Sequence, residues 1–310
     1  MPSPLLHIGL HRTGSTWIQK SVFNGEDGRP PLAVKDRIQL NDRIVTPRDE
    51  NFNPVQVREW LMEQTKGIEH PIVLSSERFS GNPHSGWFDS IRNLDRLHAV
   101  LPDARVVLVV REQRSFIQSL WLQYIRIGGT ATLRQYLQAP SAGDYRAPVF
   151  DPDFLKFHHL VESLDQRFGP EQVLVLPYEL LKEDPHRYLQ LIANHGGFEL
   201  VPPKQITPRY ASLRHIDAHV RRWTNRLFNQ STLHRSPLLP SKFGAKAGDS
   251  LGRIAGRIAG RGIDSRLKVA TRRLIEKQSF DWEGMAESNR ALSIRMNMDL
   301  IRHGYMQPES

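Results

Sequence analysis

The fold is decided by residues 5–17, which read LLHIGLHRTGSTW. The first six residues form an apolar run, which is typical of a buried strand. A short turn that contains Gly14 follows, and apolar residues then recur at helical spacing from Trp17 to Phe23. A buried strand that passes through a short turn directly into a helix is the repeating unit of α/β proteins.

Three more apolar runs have the length of strands, at 71–75, 105–110 and 173–176. The run at 105–110 is continuous and rich in valine, as in a parallel strand that is covered on both faces. Between these runs, apolar spacing predicts helices over 55–64, 87–100, 116–126 and 154–168. This alternation predicts an α/β fold with a P-loop-like central parallel sheet flanked by helices.

The last third of the chain has no strong strand signal. A basic helix pattern covers 212–228, and a final helix pattern runs from Trp282 to about His303. We predict a single domain over 1–310 that consists of an α/β core over 1–210 and a mainly helical C-terminal extension over 211–310. The extension is predicted to contain a flexible basic loop near 229–262, which is rich in Pro, Gly, Ser and Lys.

The composition limits the classes of function. The chain has 310 residues and no cysteine, and 42 Lys+Arg against 33 Asp+Glu give a net charge of +9. Without cysteine, disulfide scaffolds, cysteine nucleophiles and thiolate metal sites are excluded. The 13 histidines show no strong metal-ligand pattern. No apolar run reaches the roughly 18 residues of a membrane span, and no secretory signal is recognised, so we predict a cytoplasmic protein with an anionic ligand.

The loop after the first strand has the composition of an anion-binding turn. Gly9 and Gly14 allow backbone N–H groups to converge on one point, and a helix N-terminus adds partial positive charge. The spacing approaches that of a Walker A loop closed by Thr16, but Ser15 stands where such a loop needs Lys. The cation lies instead at Arg12. The loop therefore predicts a phosphate or sulfate site that differs from that of an ordinary ATPase or kinase.

Residues 12–17, Arg-Thr-Gly-Ser-Thr-Trp, resemble the 5′-phosphosulfate loop of sulfotransferases that use 3′-phosphoadenosine 5′-phosphosulfate (PAPS). The resemblance implies that the donor is bound by Arg12, Thr13, Gly14, Ser15, Thr16 and Trp17. The family usually has Lys where Arg12 stands. Because Arg cannot release a proton at neutral pH, only electrostatic stabilisation of the leaving phosphate is carried over to Arg12.

A second motif extends the resemblance. Arg111 ends the third strand, and Ser119 follows on the next predicted helix. The family pairs a strand-end Arg with a helical Ser at its 3′-phosphate site, and a guanidinium with a hydroxyl suits a dianion. Ser75-Ser76-Glu77 and features of the C-terminal region resemble a bacterial branch that includes polysaccharide sulfotransferases. Similar glycan enzymes use a glutamate as general base, which implies this role for Glu77.

The strand predictions give a test that is independent of the family. Ligands of open α/β sheets bind beyond the carboxyl ends of the parallel strands. Arg12, Glu77, Arg111 and Glu179 each lie at or just past such an end, so the sheet is expected to bring them to one edge. His11, His158 and His159 are alternatives to the carboxylate base.

The resemblance implies a PAPS-dependent sulfotransferase that moves a sulfuryl group to a hydroxyl or amine of a saccharide or small-metabolite acceptor and leaves adenosine 3′,5′-bisphosphate (PAP). No metal and no nucleic-acid partner are expected. Acceptor pockets are built from variable loops, and 24–54, 128–150 and 229–262 are the segments predicted for this role. The sequence does not identify the acceptor or the oligomeric state.

Simpler interpretations stay open for each motif. Thr13 or Ser15 could be an ordinary helix cap, Trp17 could be a packing residue, and Glu77 could form a structural ion pair with Arg78 or Arg114. The basic stretch at 253–273 could be a solvated helix face or could attract an acidic glycan. Two other functions stay open as well. One is a nucleotide-dependent kinase, and the other is a non-catalytic basic protein that binds polyanions.

Overall fold

The computed structural model of the protein describes residues 3–68, 70–138, 150–203, 213–228 and 262–308. Most of the predicted basic loop near 229–262 lies outside the described residues. The chain divides into two compact units, of which the first comprises Met1–Glu112, Pro152–Arg209 and Asp281–Ser310, and the second comprises Gln113–Asp151 and Tyr210–Phe280. The assignment of 1–310 to one domain stays a prediction.

The first unit is built on a sheet of four parallel strands. They are β1 (Leu5–Gly9), β2 (Val73–Ser75), β3 (Arg105–Val110) and β4 (Val173–Pro177), in the spatial order β2-β1-β3-β4. The register pairs Leu5 with Val73 in β2, Gly9 with Val109, and Val110 with Pro177. The four predicted strands and their parallel arrangement are therefore confirmed.

Helices connect and follow the strands, as the alternating pattern predicts. In chain order they are α1 (Ser15–Ser21), α2 (Arg37–Ile44), α3 (Pro54–Gln64), α4 (Ser90–Val100), α5 (Gln113–Arg126), α6 (Leu133–Leu137), α7 (His158–Phe168), α8 (Tyr178–Glu183), α9 (Pro185–Gly196), α10 (His215–Phe228), α11 (262–276) and α12 (Trp282–Met296). None of the described helices is long and apolar enough to cross a membrane.

The hydrophobic core of the first unit fixes the position of α1. Trp17 and Ile18 of α1 are buried in one cluster with side chains of β1, β3, β4, α8 and α9, including Leu5, Val107, Leu176, Leu181 and Ile192. Full burial of a side chain of this size contributes about 1.5–3 kcal/mol. Because α1 is held against the sheet in this way, the loop that joins β1 to α1 has a defined conformation.

The described part of the second unit consists of α5, α6, α10 and α11 with their connections, and its residues contain no strand. The Asn225 side chain of α10 donates hydrogen bonds to the carbonyl oxygens of Ile125 and Gly129, at 2.8 and 2.9 Å. The Gln118 side chain of α5 donates to the carbonyl oxygen of Lys268 in α11 at 3.0 Å. Side-chain to backbone hydrogen bonds therefore fasten both later helices to α5.

The largest differences from the sequence prediction are found in three segments. The final helix ends at Met296 instead of continuing to His303, because Asn297 adopts the left-handed conformation (φ 48°) and closes the helix with hydrogen bonds to Ser293 and Ile294. The predicted loop 24–54 contains α2, and the predicted loop 128–150 contains α6, whose Thr132 and Gln135 form a capping box.

Candidate active site

The carboxyl edge of the sheet carries the polar residues that the strand pattern predicts there. Arg12 follows β1, Glu77 follows β2, Arg111 follows β3, and Glu179 follows β4. All four belong to the first unit. Since parallel strands end at the same edge, the expectation that these groups share one edge of the sheet is met.

The loop between β1 and α1 is a tight, strained turn. Arg12 and Gly14 both have positive φ angles, 66° and 84°, and the Thr13 hydroxyl donates to the carbonyl oxygen of Leu10 at 2.6 Å. A Cβ at Gly9 would collide with the Ser15 Oγ and lie 3.1 Å from the Thr13 Oγ1. The turn therefore leaves no room for a side chain at Gly9, and it persists because the packed core around α1 enforces it.

Ser15 is one of the buried polar groups of this loop that have no hydrogen-bond partner within the fold, together with His11 Nδ1 and Trp17 Nε1. Its residue is only 4% exposed, and its Oγ has no hydrogen-bond partner. The cap of α1 is Gly14, which makes no side-chain cap hydrogen bond, and the Thr13 hydroxyl bonds to Leu10 instead. Neither hydroxyl acts as an ordinary helix cap. A buried hydroxyl without a partner costs about 1–3 kcal/mol, which a ligand oxygen would offset.

Arg111 contacts this loop from the neighbouring strand. Its Nη1 donates to the carbonyl oxygen of Arg12 at 2.8 Å, and its guanidinium carbon lies 5.0 Å from the centre of the Tyr178 ring. Burial lowers the pKa of Arg111, and the nearby Tyr178 and Glu179 act against this shift. The hydrogen bond and the ring contact hold the guanidinium at the carboxyl end of β3.

Glu179 connects the ends of β3 and β4 to the C-terminal segment. Its carboxylate accepts hydrogen bonds from the backbone N–H of Glu112 at 3.3 Å and from the Tyr305 hydroxyl at 3.2 Å. Burial raises the pKa of Glu179, and Arg111 acts in the opposite direction. These contacts favour a structural role for Glu179, which fastens the C-terminal segment to the functional edge.

Glu77 begins a short 3₁₀ helix that directly follows β2. Its side chain is 27% exposed and forms an ion pair with Arg37 at 3.6 Å. The two partners suggested by the sequence are engaged elsewhere. Arg78 pairs with the buried Asp89 at 2.8 Å, and Arg114 lies 3.5 Å from Glu276. The Glu77 carboxylate is thus held in place and stays accessible to solvent.

Buried histidines at this edge carry no charge at neutral pH. Burial lowers the pKa of His7 and of His84 to about 4. The pKa of His11 is well below its ordinary value because of burial first, and then because of His84, Arg78 and Arg12. These histidines therefore contribute no positive charge to the edge. As a weak base, His11 is a poor proton acceptor.

The other predicted site residues have different surroundings. Thr16 is half-buried in the first turn of α1, and Trp17 packs into the hydrophobic core. Ser119 is buried on α5 of the second unit. His158 and His159 lie on α7 with Glu162, and one ligand atom from each lies within 4.8 Å of the others, a spacing that could hold a metal ion. The donor contacts of Thr16, Trp17 and Ser119 stay predictions.

Sequence reasoning did not single out Tyr178 and His84. Tyr178 lies directly after β4, and a Cβ at Gly14 would be 3.2 Å from its ring, so it borders the loop. Its place immediately after an apolar strand is the signal that could have identified it. His84 contributes to the lowered pKa of His11, although 73 residues separate the two in the sequence. Their proximity therefore depends on tertiary packing.

Three of the solved structures that match this chain are sulfotransferases. The sulfotransferase from Alicyclobacillus acidocaldarius has 16% identity and a TM-score of 0.47, and the match covers 68% of this chain and 87% of that one. The sulfotransferase domain from the curacin biosynthetic pathway has 13% identity and a TM-score of 0.43, with 99% of both chains covered. Mouse sulfotransferase SULT7A1 complexed with PAP has 13% identity and a TM-score of 0.28, with 64% and 60% covered.

The search of curated proteins finds no significant match. A family model provides the assignment instead. The model described as the sulfotransferase family matches residues 4–202, which contain the four strands, the strained loop and Arg111. This match covers more than half of the chain and includes the whole carboxyl edge of the sheet. The protein therefore belongs to the sulfotransferase family.

Proposed function

We propose that this sulfotransferase takes the sulfuryl group from PAPS and transfers it to a hydroxyl or amine of a saccharide or small-metabolite acceptor. The observation that carries the proposal is the buried Ser15 hydroxyl, which has no partner inside a loop that closes tightly over Gly9. An oxygen of a phosphosulfate would accept its hydrogen bond, whereas an apolar ligand would leave it unsatisfied. The residues of the loop fit such a group.

The donor side of the reaction needs stabilisation of negative charge on the leaving 5′-phosphate. When bound, PAPS supplies the sulfuryl group and this leaving phosphate. Arg12 contributes a fixed positive charge, and Ser15 and Thr16 contribute hydroxyl donors. Because Arg12 keeps its proton, the loop would act by electrostatics and positioning alone.

Arg111 is the proposed ligand of the 3′-phosphate. Its position is fixed by the Arg12 carbonyl and by the Tyr178 ring, so little side-chain freedom would be lost on binding. A partly buried guanidinium binds a dianion more strongly than an exposed one does, because solvent screens the pair less. The assignment of Ser119 to the same 3′-phosphate site is based on its sequence motif alone.

Glu77 is the proposed general base. It would accept the proton of the acceptor hydroxyl while the acceptor oxygen bonds to sulfur and the leaving phosphate takes the electron pair of the broken S–O bond. Arg37 orients the carboxylate, and the partial exposure of Glu77 leaves it open to an acceptor that arrives from solvent. The neutral, buried His11 is less suited to this role.

The base is tested by Glu77→Gln, which keeps the size of the side chain and removes its basicity. We expect turnover to fall by about 10²–10⁴-fold, the usual contribution of general base catalysis, while PAP affinity is unchanged. Glu63→Gln, an exposed position on α3, is the matched control and should keep full activity. Normal turnover of the Glu77 variant would remove this residue from the mechanism.

The donor is tested by thermal shift with PAP, ATP and AMP at equal concentration. A ligand at about 100 times its Kd stabilises the folded protein by roughly 2.7 kcal/mol, so a bound nucleotide gives a clear shift. We expect a large shift for PAP and small shifts for ATP and AMP. A shift for ATP alone would support the kinase interpretation. Equal, steeply salt-dependent binding of any polyanion would support a non-catalytic polyanion-binding protein.

A further inference from the structure

A basic cavity in the second unit has no role in the chemistry proposed above. Its volume is about 970 Å³, and it is lined by α11, by the residues just after that helix, and by α6. Four of the lining residues are cations, namely Arg134, Arg266, Arg273 and Lys277. All four side chains are exposed, so they reach the solvent-filled space of the cavity.

The cations of this basic cavity differ in their pairing from Arg272, a neighbouring cation on α11 that does not line the cavity. Arg272 forms an ion pair with Glu276 at 3.2 Å, and Arg114 of α5 lies 3.5 Å from the same carboxylate. By contrast, no carboxylate in the described ranges forms an ion pair with any of the four cavity cations. The Glu276 carboxylate is therefore paired with cations that do not line the cavity.

The spacing on α11 places like charges together. Arg266 and Arg273 are seven residues apart, which puts them on one face of α11, and Lys277 directly follows the helix, four residues after Arg273. Like charges that lie close together repel one another, and Arg134 adds a further positive charge from another element. A concave surface with this arrangement favours a ligand that brings several negative charges.

The lining also indicates the kind of anion. Arginine presents a planar fork of donors that matches carboxylate and sulfate groups. Val269, which is 51% exposed, offers an apolar contact between the cations, and Ser279 adds a hydroxyl. None of the described lining residues is aromatic, so the stacking platform typical of single-stranded nucleic-acid sites is missing there.

We propose that the basic cavity binds an acidic segment of the acceptor, an oligosaccharide that carries carboxylate or sulfate groups. The inference rests on the proposed sulfotransferase function and narrows its acceptor class from saccharides in general to acidic ones. The cavity would hold charged sugar units of the acceptor through Arg266 and Arg273. It takes no part in the transfer step.

The test measures Kd by titration calorimetry for a heparin hexasaccharide, which carries sulfate and carboxylate groups, and for a neutral dextran hexasaccharide. We expect the full chain to bind the heparin hexasaccharide and to show no binding of the dextran one. The double substitution Arg266→Ser and Arg273→Ser should raise the Kd at least about 10-fold, as expected when charge-assisted hydrogen bonds are lost. The Tm of the variant confirms that it is folded.

Arg272→Ser is the matched control, because it removes one positive charge from the neighbouring position outside the cavity. The Kd of this variant for the heparin hexasaccharide should stay within about 2-fold of that of the parent chain. Arg273→Ser alone should raise this Kd clearly more. Equal losses for the two single variants would overturn the proposal, because the binding would then follow total charge. Vesicles of anionic phospholipid are also added as a competitor. If they weaken the binding of the heparin hexasaccharide to the parent chain as much as the double substitution does, the proposal is overturned as well.

The PAP thermal shift of the same variants separates this inference from the proposed function. If the parent chain and the double variant both respond to PAP and only the double variant loses the heparin hexasaccharide, the basic cavity is an acceptor subsite. If the parent chain responds to PAP but binds both hexasaccharides alike, the cavity proposal fails and the donor assignment stands. Absence of any PAP response in the parent chain would remove the proposed function itself.

Discussion

At the residue scale, Ser15 has opposite effects on the empty and the ligand-bound protein. Its buried hydroxyl has no partner in the fold, so Ser15→Ala should raise the free energy of unfolding of the ligand-free protein by about 1 kcal/mol. The same change removes a donor to the leaving phosphate, and PAP affinity should fall about 10-fold or more. Denaturant unfolding and calorimetry measure the two effects separately.

The hydroxyl at the other end of α1 provides the control for Ser15. Ser21→Ala alters the same residue type outside the loop and should leave PAP affinity unchanged. If Ser15→Ala destabilises the ligand-free protein and leaves PAP binding intact, the hydroxyl has a structural partner, and its assignment to the donor site is wrong.

Arg111 differs from Arg12 because its proposed ligand is present only in 3′-phosphorylated nucleotides. Arg111→Lys keeps a positive charge but loses the planar fork and the contact with the Tyr178 ring. We expect PAP affinity to fall by about 10- to 100-fold, while AMP affinity changes by less than about 3-fold. Calorimetric titration with each nucleotide measures the difference.

The matched control for Arg111 lies at the other end of the same strand. Arg105 donates to the carbonyl oxygen of His195 at 2.9 Å, and Arg105→Lys should leave both nucleotide affinities unchanged. Equal losses for PAP and AMP in the Arg111 variant would show that this residue does not recognise the 3′-phosphate.

At the element scale, the loop between β1 and α1 acts through its shape. Gly9→Ala adds one methyl group that would collide with the Ser15 Oγ. We expect the Ser15 side chain to be displaced, the free energy of unfolding to fall by about 1–3 kcal/mol, and PAP affinity to fall at least about 10-fold. Circular dichroism during thermal unfolding and calorimetry measure these effects.

A second glycine separates the loop effect from a general effect of glycine replacement. Gly262 on α11 has open space where its Cβ would be, so Gly262→Ala should leave both the fold and PAP binding unchanged. Retention of normal PAP affinity in Gly9→Ala would mean that the tight approach of the loop to Gly9 is not needed for the donor.

The strands and the loop could be predicted because their signals are local. The run at 105–110 is continuous and apolar, and the structure has β3 over the same residues. The turn after β1 can be recognised from its own short sequence. The residues that follow each strand can be located as soon as the strand itself is recognised. The carboxyl edge of the sheet was therefore predictable from four short segments.

Other elements could not be predicted because their signals are weak or depend on distant contacts. In α2, only Leu40 and Ile44 are buried, so the helical period of apolar residues is faint. The final helix pattern continues in apolar residues beyond Met296, and only the left-handed backbone of Asn297 ends it. The ion pair of Glu77 with Arg37 and the bond of Tyr305 to Glu179 form only after the chain has folded.

At the scale of the whole molecule, the net charge of +9 includes two separate groups of cations. In the first unit, Arg12 and Arg78 lie near the neutral, buried His11 at the carboxyl edge of the sheet. In the second unit, the basic cavity carries four cations without carboxylate partners in the described ranges. A basic composition alone predicts an anionic ligand, whereas this distribution predicts a nucleotide and an acidic acceptor at different surfaces.

The stability of the protein should depend on pH through its buried histidines. The pKa values of His7 and His84 are about 4 in the folded protein and about 6.5 in the unfolded chain, so the unfolded chain binds more protons between pH 4 and 6.5. The free energy of unfolding should be highest above pH 6.5 and fall as the pH drops toward 4. Each histidine contributes up to about 3 kcal/mol to this loss.

Urea unfolding at intervals from pH 4.5 to 7.5 gives the slope of stability against pH. His7→Gln should flatten this slope by up to about 1.4 kcal/mol per pH unit, because one proton fewer is taken up on unfolding. Because the slope is compared, a lower overall stability of the His7 variant does not affect the conclusion. An unchanged slope in His7→Gln would mean that this histidine is protonated alike in both states.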